Sequence, residues 1–526
     1  MPEVASNAVP VNGTGAPPDS STEVYAVFGA EPEVLAYAMA KYSRSALSMK
    51  ESLKEISTQK AEKFLNTFYF QYGHRSIADL AHIALAIEKL SILAAIVLAD
   101  EQRWDGQERS TRYQDFRKSG YFTPSFGPDE HARELYLGTI KNLFSTYETV
   151  SETTFQYLVE ITPKPAEMKQ DAYERTLRAR AFDISRYLLP LAANTSLGEI
   201  VNARTLETQV SHLLSHTHAE VRRLGELLKR AALAAAYNVN HESARNLVED
   251  IRAVSPELGV RAENELLKDV RVAPTLVKYA DPNPYEIETR RELRQIASEL
   301  MGNALPDAAP SVDLLDDEPV EIELATTLLY EHCAYPYRQI RKIVESISDA
   351  RRREIIDAGL RHRGRHDEML RAFRAGQQFR FDILMDIGGF RDMHRHRRCI
   401  QIEQQFTTQH GYEVPPELQP AGALTSYTDA MDQAAHAAQE LAANNTSEAA
   451  ENSQYLIPLG FRKRTLFKMD FAEAVYISEL RTGPAGHFSY RNVAYAMYEE
   501  VKKKHPALAQ YFRVHDVRES VDLLKR

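Results

Sequence analysis

The chain runs to 526 residues with 64 Lys and Arg against 74 Asp and Glu, a formal net charge of −10. That balance excludes a general nucleic-acid or membrane-surface binder, so any basic site must be local and shaped. At 44% hydrophobic and 26% charged the composition is that of a globular protein, and the length implies two to four domains.

Residues 1–24, rich in Pro, Gly, Ser and Ala with neither a basic start nor an apolar run, read as a disordered tail and not as a signal peptide. Apolar residues at three- and four-residue spacing predict helices in "EVLAYAMAKYSRSALSMKESLKEIS" from Glu33, "ADLAHIALAIEKLSILAAIVLADEQ" from Ala78 and "ARTLETQVSHLLSHTHAEVRRLGELLKRAALAAA" from Ala203. The most apolar run, "LSILAAIVLA" at 90–99, is too short to span a bilayer, so it reads as a buried helix and no membrane partner is expected. Short strands are predicted at "SGYFTP", "RYLLPL", "YLIPLGF" and "TLFKMDF", and an alanine-rich helix from Tyr427. Gly, Pro and acidic residues around 301–317 mark a linker between domains at 25–300 and 318–526. Two cysteines, Cys333 and Cys399, make no disulfide framework, and a cytoplasmic location is expected.

The two halves repeat each other. "RYLLPL" (186–191) returns as "QYLIPL" (454–459), "EPEVLAYAMAKY" (31–42) loosely as "EPVEIELATTLLY" (318–330), and "YGHRSIADLAH" (72–82) faintly as "GRHDEMLRAF" (364–373). Kept in order along the chain, these echoes indicate a diverged tandem duplication. A fused pair should pack as a pseudo-dimer with its sites where the halves meet.

The most basic stretch, "RDMHRHRRCIQIEQQ" (391–405), lies in the second half, and "QERSTRY" (107–113) in the first. Together with "YGHRSIADLAH", these resemble the signature of flavin-dependent thymidylate synthases. That signature begins Arg-His-Arg and continues at fixed gaps through Ser, Glu and Ser to Arg-Tyr. The first half keeps its end as Glu108, Ser110, Arg112 and Tyr113, with Asp100, Glu101 and Gln102 in the Arg-His-Arg slots. The second half keeps Arg395-His396-Arg397 and Glu403, while the end has become Gln405, Phe406, Thr407 and Thr408. Downstream, the first half has the arginine before Leu-Pro (Arg186) and the Asn-x-Arg (Asn202, Arg204). The second half has Gln454 and Asp470 in the slots of Arg186 and Asn202 but keeps the late Leu480-Arg481, whose first-half slots hold His212 and Leu213. Asp392 stands where the family has Gln, and Ile400 where it has Ser.

The resemblance implies an α+β fold, each half mainly helical around a small antiparallel sheet. It implies one complete site between the halves and a reciprocal site without arginine. dUMP would be held by Glu108, Ser110, Thr111, Arg112, Arg186, Arg395 and Arg481. FAD would be held by Ser76, Glu108, Asn202, Arg204, Arg395, His396 and Arg397. Arginine suits phosphate because its planar fork donates paired hydrogen bonds and its charge does not titrate away. The implied reaction methylates dUMP to dTMP with methylenetetrahydrofolate, the flavin being reloaded by NADPH, and Arg481 is the catalytic residue that opposes charge developing on uracil N3. Family members are homotetramers, so a fused chain is expected as a homodimer. A second possibility is a non-catalytic nucleotide- or flavin-binding protein of the same descent. A third is an RNA-binding helical protein using "RHRGRH" and "HRHRR", although no nucleic-acid partner is expected from the composition. His394, His396 and His410 have no Cys or acidic partner at ligand spacing along the sequence, so no metal is expected.

Overall fold

The computed structural model describes residues 29–41, 75–302, 304–315, 320–364, 370–373, 379–443, 447–509 and 512–524. The expected tail, the first helix beyond Lys41, part of "RHRGRH" and the side chain of Ser76 lie outside them.

Each half is built on a small antiparallel sheet. In the first, β1 (His82–Ser91), β2 (Trp104–Glu108) and β3 (Asn194–Asn202) lie in the order β1-β3-β2. In the second, β4 (Val312–Leu314), β5 (Phe379–Asp386), β6 (Ile400–Glu403) and β7 (Arg462–Met469) lie in the order β4-β5-β7-β6. The pairs β1 and β5, β3 and β7, and β2 and β6 are counterparts. β4, an added edge, falls inside the stretch expected as a linker.

The same local devices recur. Ser91 and Asp386 end the first strands and cap α1 (Ile92–Ala99) and α2 (Ile387–Met393), accepting from Ala94 N and Gly389 N. Asn202 and Asp470 end the central strands and cap α3 (Ala203–Leu214) and α4 (Phe471–Arg481), accepting from Thr205 N and Glu473 N. A side-chain acceptor at each entry satisfies an amide that the first helical turn leaves unpaired.

The halves meet at the repeated hexapeptide. Leu191 N donates to Ile457 O at 3.0 Å and Leu459 N to Leu189 O at 2.9 Å. Ala192 N donates to Tyr455 O at 2.9 Å and Gly460 N to Tyr187 O at 3.0 Å. Each bond has a counterpart with the halves exchanged, so a pseudo-twofold axis passes beside the Pro190–Pro458 bridge. One apolar core runs through this junction, from Ile92 and Leu189 to Leu459 and Met497.

Some expectations need correction. "HIALAIEKLS" is a strand, not the start of a helix: Ile83, Leu85 and Ile87 alternate at period two, and the alanines between them fitted a helical stripe equally well. Lys89, at φ 60°, is the extra residue where the β1 register shifts. "SGYFTP" makes a single bridge, Tyr121 to Ala193, and "RYLLPL" opens as a 3-10 turn before its one bridge to Pro458. "YLIPLGF" likewise makes only bridges, through Pro458 and Phe461, whereas "TLFKMDF" falls largely within β7. Among the described residues no helix is long and apolar enough to cross a membrane.

Candidate functional site

Four arginines from the two halves gather on one carboxylate. Asp392, in α2, lies in the field of Arg186 and Arg112 from the first half and of Arg481 and Arg395 from the second. Burial acts to raise its pKa, but these cations outweigh it and hold the carboxyl below its ordinary range. The nearest, Arg186, is 2% exposed and places Nη1 3.4 Å from Asp392 Oδ2. Its Nε and Nη2 have no hydrogen-bond partner among the described residues.

Arg112 enters from the loop after β2. Its Nε and Nη2 straddle Asp183 at 2.8 and 3.3 Å, and its Nη1 donates to the Tyr490 hydroxyl at 2.9 Å. Burial opposes its charge, but Asp183 more than offsets this and its pKa rises. Tyr490, in α5 (Phe488–Lys504), joins the halves: the Arg112 and Arg481 guanidinium carbons lie 5.6 and 5.4 Å from its ring centroid.

Arg481 closes α4, and its Nε donates to His396 Nε2 at 2.7 Å. With Nε2 accepting, the ring proton sits on Nδ1, 3.4 Å from Glu473 Oε1. Burial lowers the His396 pKa, with Glu473 opposing, so the ring stays neutral at pH 7 and leaves the positive charge to Arg481. Arg397 lies over the Trp104 ring at 5.0 Å and 3.4 Å from Asp105, so the lone tryptophan is a platform for it. Arg395 is exposed, and its backbone carbonyl accepts from Arg397 N at 3.1 Å.

The other expected residues divide. Glu108 pairs with Arg391, Thr111 is buried beside Arg112, and Ser110 Oγ accepts from Arg112 N at 3.2 Å. Asn202 and Arg204 stand apart: the first caps α3, and the second pairs with Asp79 at 3.0 Å on the rim of a different cavity. Arg391, Asp183 and Tyr490 are new. Arg391 was legible, being one helical turn before Arg395 in the basic run. Nothing in the sequence marks Asp183 or Tyr490, which only tertiary packing brings in.

That cavity, of about 760 Å³, is the reciprocal site. Its walls carry Asp100, Glu101 and Gln102 from the degraded signature, Leu213 from the late-arginine slot, and Glu403 and Gln454 from the second half. The expectation of a site without arginine is corrected: the signature slots are empty of it, but Arg103, Arg204, Arg290, Arg294 and Arg371 line the cavity from other positions.

The cluster can do two things chemically. Unpartnered, buried N–H groups on Arg186 and on Arg391 Nε need an acceptor, which a phosphate-bearing ligand provides. A guanidinium set against a neutral imidazole can stabilise negative charge on a bound ring.

The sequence profile of the thymidylate synthase complementing protein family matches residues 26–236 and again 312–507. The chain is 29% identical to a UPF0159 protein of Chlamydia pneumoniae, covering 92% of this chain and 90% of that one. It is 24% identical to a UPF0159 protein of Thermoplasma acidophilum, over 91% and 94%. A flavin-dependent thymidylate synthase of Clostridium tetani is 25% identical over 48% of this chain and 83% of its own. A Helicobacter pylori flavin-dependent thymidylate synthase solved with FAD and dUMP covers 38% of this chain at 17% identity, with a TM-score of 0.23, too low to carry a residue correspondence. Two successive matches on two counterpart sheets make this chain a tandem member of the thymidylate synthase complementing protein family, the flavin-dependent thymidylate synthases.

Proposed function

We infer that the Asp392 cluster is a flavin-dependent thymidylate synthase site that methylates dUMP to dTMP, with one such site per chain. The observation that carries this is the meeting of first-half Arg112 and Arg186 with second-half Arg395 and Arg481 around a single carboxylate. The orphaned nitrogens of Arg186 and Arg391 support a phosphate-bearing guest, and the residues present suit both dUMP and FAD.

Arg112 and Arg186, with Ser110 and Thr111, would bind the dUMP phosphate, and Glu108 would orient the nucleotide through its pair with Arg391. Arg395, His396 and Arg397 would hold FAD, with Ser76, Asn202 and Arg204 assigned there by family resemblance alone. Bound reduced flavin would supply the hydride that accompanies one-carbon transfer from methylenetetrahydrofolate to uracil C5, NADPH restoring the reduced form. Arg481, oriented by His396, would oppose negative charge as uracil N3 loses its proton. A chain of two fused domains would pair with a second copy to rebuild four domains, which light scattering reads as twice the chain mass. A cytoplasmic setting suits these soluble co-substrates.

A second reading, a nucleotide- or flavin-binding protein without turnover, is favoured by one observation. Arg112 and Arg186 are already paired with Asp183 and Asp392, so a phosphate must compete with the chain's own carboxylates. The experiment supplies purified protein with FAD, dUMP, methylenetetrahydrofolate and NADPH. Thymidylate formation supports the synthase; tight binding of dUMP and flavin without product supports the second reading. Protein that takes up no flavin ends the synthase reading, and protein that binds neither flavin nor dUMP ends both. Asp392→Asn frees Arg186 and should tighten dUMP binding about tenfold, or about 1.4 kcal/mol.

A further inference from the structure

The reciprocal cavity has lost the counterparts of Arg112, Arg186, Arg395 and Arg481 and gained a different set of groups. At its wall Asp100 and Glu403 meet across the two halves, with His394 behind them, 5% exposed. His394 Nε2 lies 3.7 Å from Asp100 Oδ1 and 3.8 Å from Glu403 Oε1, and the three atoms are within 4.8 Å of one another. Nε2 has no hydrogen-bond partner among the described residues.

The tautomer follows from the neighbours. Gln401 Nε2 donates to His396 O at 3.2 Å, which turns its Oε1 toward His394 Nδ1 at 3.0 Å. Nδ1 must therefore be the donor, and in the neutral ring the Nε2 lone pair points between two carboxylates. Facing a lone pair toward two anions costs free energy unless a cation stands between them. A protonated ring would close on its acceptors to about 2.7–2.9 Å, the usual length of a charge-assisted bond. The observed gaps are wider. An ion about 2.1 Å from each atom spaces those atoms about 3.4–3.8 Å apart, and both carboxylate oxygens stand at such a distance from Nε2.

Each carboxylate is held by a cation of the second half. Arg371 pairs with Asp100 through Oδ1, the oxygen that also faces His394, so an ion would share that oxygen with the guanidinium, and it donates as well to Asp100 O at 2.7 Å and Gln401 O at 2.9 Å. Lys463 pairs with Glu403 through Oε2, leaving Oε1 toward the ring. Such outer partners fix ligand orientation. The acidic partners that the sequence spacing lacked come from another domain and another strand.

We propose that the reciprocal cavity holds a divalent first-row transition ion, bound by Asp100, His394 and Glu403 with its remaining positions open to the cavity. One imidazole with two carboxylates suits Mn²⁺, Fe²⁺ or Zn²⁺ and disfavours Mg²⁺, which seeks oxygen alone. The proposal does not depend on the synthase reading, because the site uses neither Arg481 nor the Asp392 group.

The test is full-length protein stripped with chelator and titrated with Mn²⁺ or Zn²⁺ in a calorimeter. One ion per chain at micromolar Kd or tighter is expected, weakened at least tenfold in Glu403→Gln and in His394→Gln and unchanged in Glu101→Gln. Absent stoichiometric binding, or binding that ignores both ligand substitutions, overturns it. Should those variants fail to fold, electron spin echo of Mn²⁺-loaded unsubstituted protein decides: nitrogen coupling from one imidazole is required, and its absence rejects the site.

Discussion

The Asp392 cluster and the reciprocal cavity occupy counterpart places about one pseudo-twofold axis, yet their signature slots carry different chemistry. Arg112, Arg186, Arg395 and Arg481 at the first have Thr407, Gln454, Asp100 and Leu213 as sequence counterparts, the last three lining the second. The helix caps, the central strands and the paired hexapeptides are kept in both. Backbone symmetry is held by hydrogen bonds that most side chains do not touch, so one site can be recharged without disturbing the frame. Once two copies share a chain, neither has to supply a whole site.

The sharpest test of that division is stability. Arg186 is buried against Asp392, whereas Gln454 in the counterpart slot carries no charge. Arg186→Ala should cost about 3–5 kcal/mol, because it strips a buried pair of its cation. Gln454→Ala should cost about 1 kcal/mol, the value of an ordinary hydrogen-bonding group. Urea midpoints would compare them, and equal losses would refute the asymmetry. Adding Asp392→Ala to Arg186→Ala should recover part of the loss, as expected for residues in direct contact.

Turnover gives the next contrast. Arg481→Ala should lower dTMP formation about 10²–10³-fold while flavin stays bound, the usual cost of deleting one charge-stabilising donor. Leu213→Ala, at the counterpart position, should cost about 2–5 kcal/mol of stability as a cavity in the core and leave kcat in place. If Arg481→Ala loses flavin as well, its role is to bind and not to stabilise charge.

Both contrasts rest on what could be read in the sequence and what could not. The duplication and the split signature were legible because slots such as Arg481 and Leu213 keep the same distance from a repeated hexapeptide. The partners that tune them were not. Asp183 and Tyr490 reach Arg112 from helices far along the chain, and no local spacing announces a cation held by a carboxylate on one side and a phenol on the other. β1 was misread for a physical reason: Ala84 and Ala86 fit a helical stripe and a strand's small face equally, and only pairing with β3 decides. For His394, spacing along the chain says nothing about an acid arriving from the other half, as Asp100 does.

The two sheets differ in pH response. Glu199 and Phe467 are counterparts on the central strands, both buried. Burial pushes the Glu199 carboxyl up to about 7 from an ordinary 4.5, with Gln209 opposing in part. The folded state therefore keeps a proton that the unfolded chain has released, and stability falls as pH rises from about 4.5 to 7. Glu199→Gln should remove that slope and gain about 3 kcal/mol at pH 8 relative to the parent chain, with little change at pH 4. Denaturation at the two pH values measures it, and an equal effect at both would assign the change to packing.

The smallest effect probes the junction itself. Gly460 and Ala192 are counterparts, each donating its amide across the halves. The first half accommodates a methyl group there in a fully buried position. In the second half a Cβ on Gly460 would lie 2.9 Å from the Met431 methyl, 2.9 Å from the Tyr427 hydroxyl and 3.0 Å from Tyr187 Cβ. The Met431 end can swing aside, but Tyr427 is fixed by its bond to Glu413 O at 2.6 Å, and Tyr187 is part of the paired hexapeptide. Gly460→Ala should therefore cost about 1–3 kcal/mol by overpacking, although it makes the junction more symmetric in sequence. The reverse change, Ala192→Gly, should cost about 1 kcal/mol for the lost methyl and the freer unfolded chain. A neutral Gly460→Ala would mean that the second half can relax to the first half's packing, and that the junction's asymmetry lies in sequence alone.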